Sequence, residues 1–163
     1  MKSTVLKINL ILAVLILVHA CSKDKIDPDA DRDLFNQVNG GAYTFYQNGN
    51  ILSPQSPSPH GNFKLRFNSV AAAALDSTGE LPAGSTFPDN SIIVKEVHNG
   101  NDITLYAVMK KDPTNVNASN GWLWAEINPS GQATYSTNKK GVECAGCHSD
   151  TPNRDFTRTF DLH

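Results

Sequence analysis

Near the end of the chain, residues 140–150 read KGVECAGCHSD, and within them Cys144, Cys147 and His148 fall in the pattern C-x-x-C-H. Two thiols with two residues between them and an imidazole directly behind can do a narrow range of chemistry. They can close a local disulfide, hold a metal, or attach a haem whose iron the histidine then binds. A structural zinc site takes four ligands, usually two such pairs, and the sequence offers only one further cysteine, Cys21. A thioredoxin-like redox pair belongs to a βαβ context, whereas strand-like segments precede this motif. A disulfide is the serious competitor, because exported cysteines do pair. The histidine behind the second cysteine favours one covalently attached haem c, held by Cys144 and Cys147, with His148 as the proximal iron ligand.

The opposite face of that iron could carry electrons, hold a gas or turn over a substrate. An electron carrier usually needs two strong protein ligands, and the sequence is short of a second. The candidates are His60, His98, His163 and Met109, the only methionine besides Met1. Met109 falls on a strand and reads as a core residue; His60 lies in a Pro/Ser loop and His163 at the terminus. Fifteen residues follow His148, none of them methionine. The balance favours an iron with one open side.

The elements that must hold this site follow from the hydropathy pattern. Leu34, Phe35 and Val38 recur at helical spacing in 31–39 behind an aspartate-rich start. Residues 51–61, with three prolines, read as loop. In NFKLRFN (62–68) Phe63, Leu65 and Phe67 alternate with Lys64 and Arg66, the pattern of a half-buried strand. Residues 69–76, SVAAAALD, predict a two-turn helix capped by Ser69. Strands at 91–98 and 102–110 flank NGN, a hairpin signal. A second pair, 121–128 and 132–138, flanks PSG. The expected fold is α+β, mostly an antiparallel meander of about five strands with short helices and the covalent haem at its C-terminal end.

The N-terminus sets the compartment. MKSTVLKINLILAVLILVHAC has lysines at 2 and 7, an apolar run from Leu10 to Val18, and Ala20 before Cys21. Residues 1–20 read as a secretory signal peptide, too short in their apolar part for a comfortable membrane span. Val18-His19-Ala20-Cys21 resembles a bacterial lipobox, which predicts lipidation of Cys21. The alternatives are an ordinary cleaved leader or an uncleaved anchor. Acyl chains at about 0.8 kcal/mol per buried CH₂ would then hold the protein on the outer membrane, on its periplasmic or cell-surface side. The charged stretch 21–33 reads as a tether, leaving 34–163 as a single domain. Loss of the leader removes two lysines and no acid, taking the net charge from −2 to −4, a balance that argues against a nucleic-acid partner.

From about His60 to the end, the segments PHGNFKLRFN, FPDNSIIVKEV, VMKK, GWLWAEI and CAGCH occur in an order that resembles the cytochrome P-460 family, which includes the cytochromes c′-beta. Asn90 stands where the family usually has glycine, a change that left-handed turn geometry tolerates. The resemblance implies a β-rich monohaem c fold with a proximal histidine and an enclosed distal pocket. In the P-460 enzymes a lysine is joined covalently to the haem and hydroxylamine is oxidised. The cytochromes c′-beta lack that bond and bind nitric oxide or carbon monoxide. The resemblance maps the lysine onto Lys95 and a distal-side arginine onto Arg66. The acid/base residue falls to Glu126 or Glu96, of which Glu126 is taken.

Read by its own pattern, Lys95 shares a strand face with Ile93 and Val97, and its stem could equally run along the sheet to solvent. Arg66 by its own alternation is solvated, and Trp122 and Trp124 are core. Three functions remain open. The first is a redox enzyme acting on hydroxylamine or nitric oxide, with Lys95, Arg66 and Glu126 as its catalytic groups. The others are a nitric oxide or carbon monoxide binding protein, and an electron-transfer cytochrome. A redox partner protein is expected in the first and third, and pairing into a homodimer is left open.

Overall fold

The computed structural model describes residues 29–54 and 58–162. The leader, Cys21 and most of the charged tether lie outside the described residues, as does His163. Among the described residues no helix is long and apolar enough to cross a membrane.

Among the described residues six strands form one sheet in chain order, each antiparallel to the next. They are β1 (Tyr43–Phe45), β2 (Phe63–Asn68), β3 (Ile92–Asn99), β4 (Asp102–Lys111), β5 (Trp122–Ile127) and β6 (Ala133–Tyr135). The meander is the α+β fold expected, with one strand more than the pattern suggested. The extra strand, β1, is three residues long and follows a glycine pair. Its strand character comes from pairing with β2, Tyr43 against Asn68 and Phe45 against Arg66, a long-range contact with no local signature. The NGN turn joins β3 and β4 with Gly100 at φ 61°.

Among the described residues four α-helices accompany the sheet: α1 (Ala30–Gly40), α2 (Ser69–Ala72), α3 (Ala145–His148) and α4 (Thr159–Leu162). The alanine segment makes one turn rather than two. Its cap is Asn68, not Ser69: the Asn68 Oδ1 accepts from Ala71 N at 2.9 Å and from Ile92 N at 3.0 Å. One side chain thus caps α2 and ties it to the start of β3.

The larger departure concerns the sheet's second face. The expectation for 62–68 was a half-buried strand, yet both faces are covered. One face carries Phe63, Leu65, Phe67, Ile93, Met109, Trp122 and Trp124 in a single cluster. On the other, α1 lays Leu34 and Val38, four residues apart, onto Val94, Val108, Ala125 and Ile127. The Asp31 carboxylate pins the start of α1 to the sheet by accepting from the Thr137 N–H at 2.9 Å and hydroxyl at 2.8 Å. The end of the stretch read as tether therefore belongs to the folded domain.

Candidate functional site

Strand register decides which side chains can meet. Leu65 lies opposite Lys95, Lys95 opposite Ala107, Ala107 opposite Glu126, and Glu126 opposite Tyr135. These five form one row across the sheet on one face. The adjacent row on that face is Phe67, Ile93, Met109 and Trp124. Neighbouring strands lie about 4.8 Å apart, so Lys95 and Glu126 flank Ala107 with roughly 10 Å between their backbones. Ala107 has almost no side chain, so the row dips at its centre. Over that dip sits a cavity of about 380 Å³, within the usual range for small-molecule and cofactor sites, about 300–1,000 Å³.

The C-x-x-C-H segment forms a wall of this cavity, with Cys144, Cys147 and His148 all lining it. Its approach to the sheet depends on Gly141, at φ 62°, where a Cβ would fall 2.2 Å from Trp124 Cδ1. A glycine is therefore required there both for backbone and for space. The His148 ring stands edge-on to Trp124 with centroids 4.7 Å apart. Trp124 thus keeps its expected core position, 2 % exposed, and also supports the histidine.

His148 Nδ1 lies 2.7 Å from the Phe156 carbonyl oxygen. A carbonyl only accepts, so Nδ1 carries the proton and Nε2 keeps its lone pair. Burial is the main cause that lowers the His148 pKa from 6.5 to about 4; the Phe156 carbonyl pulls it upward, and Lys95, His60 and Arg158 add smaller downward contributions. At neutral pH the ring is therefore neutral, the form that binds metal.

Lys95 enters the cavity beside it, its Nζ 4.1 Å from the Phe63 ring centroid. Burial, with a lesser contribution from Arg158, lowers its ammonium from 10.5 to about 8. Glu126 lines the same cavity and accepts from His60 Nε2 at 2.9 Å. That hydrogen bond is the main reason its carboxyl pKa is lowered. The sequence shows His60 only as a histidine in a Pro/Ser loop. Its partner lies 66 positions away, and nothing in the loop's composition signals the contact.

Arg66 and Glu96 do not join them. Leu65, not Arg66, pairs with Lys95, so Arg66 belongs to the opposite face. There it is 8 % exposed, donates to Val38 O at 3.0 Å, pairs with Glu96 at 2.7 Å and stacks 4.2 Å from the Tyr43 ring. Arg66 is thus neither solvated, as its alternation suggested, nor on the cavity side, as the resemblance implied. The arginine of the cavity is Arg158, bonded to the Cys147 carbonyl and to Asp150. It follows the motif in a short tail where no periodicity marks it. The His98 side chain lies 3.8 Å from Glu96, largely shielded from solvent, and is not among the cavity's lining residues. Met109 packs in the core and contributes to the cavity wall.

The donor set fits a haem. Both cysteines are free thiols, and burial raises Cys144 from 9.0 to about 11. Redox-active C-x-x-C pairs work the other way, with a lowered thiol pKa. The same lining offers apolar walls from Leu65, Ile93 and Trp124, and an imidazole with a free Nε2. Among the described residues no group of three or more His, Cys, Asp or Glu is arranged to hold a bare metal ion.

A β-meander that brings a thiol pair and a neutral imidazole to the rim of an apolar cavity has the makings of a haem protein. The chain belongs to the cytochrome P460 family, whose model matches residues 46–159. That membership implies a haem cofactor. No curated protein matched the chain.

Proposed function

We propose that this protein is a monohaem c-type cytochrome with an open distal iron site that performs redox chemistry on small nitrogen compounds, hydroxylamine or nitric oxide. In this reading Cys144 and Cys147 form the thioether links and His148 Nε2 binds the iron. The single observation that carries it is the cross-sheet row: Lys95 and Glu126 lie on either side of Ala107, in one cavity with His148.

A bound haem supplies an iron that accepts electrons and coordinates a small ligand. The chain's own residues do the rest. Phe156 O fixes the His148 tautomer through Nδ1. The Glu126 carboxylate, whose pKa His60 lowers by donating to it, forms with His60 a pair able to accept a proton from a substrate N–H or O–H. Lys95 and Arg158 set two cationic side chains in the same lining as the Glu126 and Glu143 carboxylates, between apolar walls from Leu65, Ile93 and Trp124. With a pKa of about 8, about one Lys95 in ten is a free amine at pH 7. That is the nucleophilic form a covalent bond to the cofactor would require.

A nitric oxide or carbon monoxide binding protein is the second reading. The seat of Lys95 Nζ over Phe63 favours it, since a lysine so placed needs no bond to the cofactor. Electron transfer is disfavoured because His60, one candidate for a second ligand, is engaged by Glu126. A lipid on Cys21 would hold the protein on a bacterial outer membrane, with a redox partner protein taking up the electrons.

Hydroxylamine oxidation with an artificial electron acceptor, together with the reduced optical spectrum, separates the two readings. The enzyme reading expects turnover and a red-shifted Soret band that Lys95→Arg returns to an ordinary c-type shape. An ordinary spectrum unaffected by Lys95→Arg, with no turnover, would leave gas binding.

A further inference from the structure

Asp155 lies outside the cavity, 4 % exposed, and its carboxylate is fully engaged. It accepts from Lys111 Nζ at 2.8 and 2.9 Å, from Trp122 Nε1 at 3.3 Å and from the Phe87 N–H at 2.9 Å. These donors come from the end of β4, the start of β5 and the loop leading to β3. One carboxylate therefore fastens the segment after the C-x-x-C-H motif to three parts of the sheet domain. A buried ion pair is no better for stability than well-packed apolar residues of the same size. Its value lies in fixing one arrangement.

What it fixes is the next residue. Asp155 has φ 47° and Phe156 φ 68°, two consecutive non-glycine residues in the left-handed region, a conformation that surrounding structure must impose. The reversal is closed by Phe156 N donating to Thr151 O at 3.2 Å and Thr157 N to Arg154 O at 2.9 Å. It presents the Phe156 carbonyl to His148 Nδ1. Neither Asp155 nor Lys111 lines the cavity, so neither can act on a substrate directly.

We propose that Asp155 and Lys111 are positioning residues for the iron ligand: their buried pair holds the Phe156 carbonyl against His148 Nδ1 and so sets how strongly the imidazole donates to iron. This rests on the reading of His148 as the ligand. A hydrogen bond at the far ring nitrogen makes a metal-bound histidine a stronger donor, and outer hydrogen bonding of this kind is one of the protein's levers on haem potential.

The test uses the haem-loaded protein, reading the ferrous iron–histidine stretching frequency by resonance Raman and the midpoint potential by redox titration. Asp155→Asn keeps a residue that tolerates left-handed backbone and removes the charge. The double variant Lys111→Met/Asp155→Asn leaves no unpaired buried charge, and remains readable if the single variant does not fold. Both should lower the stretching frequency and raise the potential, because a loosened Nδ1–H···O bond weakens the donor. Lys111→Arg should stay closer to wild type than Lys111→Met. Folded variants with wild-type frequency and potential would overturn the proposal and leave His148 as ligand. A haem-bearing His148→Ala protein with an unchanged iron spectrum would remove the ligand reading, and this proposal with it.

Discussion

Lys95 would be an ordinary surface lysine if its strand were shifted by one residue. Alternation with Ile93 and Val97 already put it on an apolar face in the sequence; the register adds that this face is roofed by the C-x-x-C-H segment. Burial makes the charged form unfavourable, hence the pKa of about 8. In cofactor-free protein, a small amine-reactive reagent should modify Lys95 with a pH midpoint near 8, while exposed lysines follow their ordinary value near 10.4. Peptide mass spectrometry across pH 6–11 reads this directly, and an ordinary midpoint at Lys95 would refute it. Glu126 and His60 make the second residue-scale claim. If hydroxylamine is the substrate, Glu126→Gln should reduce turnover on the order of 10²–10⁴-fold, the usual worth of a positioned proton acceptor. His60→Ala should move the acidic limb of the pH profile upward, because the donor that lowers the Glu126 pKa is gone. Steady-state rates between pH 5 and 9 test both.

At the scale of elements, the meander was legible because its strands alternate and its hairpins carry Asn, Gly and Pro signals. The site was legible only in part, and parity explains which part. Alternation alone separates Arg66 from Leu65, but it cannot tell whether the far face meets solvent or a helix. Here α1 covers it, and Arg66 becomes a buried partner of Glu96 and Val38 O. His60 and Arg158 were hidden for another reason: each lies in irregular chain, His60 placed by a partner 66 positions away and Arg158 by the Cys147 carbonyl and Asp150 of the motif segment. Gly141 shows what the C-x-x-C-H segment demands of the sheet. Gly141→Ala should cost about 1–2 kcal/mol for the left-handed backbone alone, and more because the new methyl meets Trp124. A denaturant midpoint within error of wild type would mean that the segment does not rest on Trp124.

For the whole molecule, one sheet separates two interiors. On the reverse face the Arg66–Glu96 pair and α1 are structural; on the other, burial in the cavity disfavours the charged forms of His148 and Lys95. His148 gives the clearest consequence. In the unfolded chain it takes up a proton near pH 6.5, but the folded protein holds it neutral down to about 4. Between these values the unfolded state binds more protons, so stability rises with pH through the window and is lost as pH falls through it. Urea unfolding of cofactor-free protein should show this slope between pH 4 and 6.5. It should be flatter in His148→Gln; equal slopes would place the acid sensitivity elsewhere.

The central claim is that His148 is the sole protein ligand to a haem iron whose other side opens on the Lys95–Glu126 cavity. The optical spectrum of the dithionite-reduced protein, before and after carbon monoxide, tests it most directly. The account predicts a five-coordinate, high-spin ferrous spectrum that converts fully to a carbon monoxide adduct. A six-coordinate, low-spin spectrum that carbon monoxide leaves unchanged would contradict it.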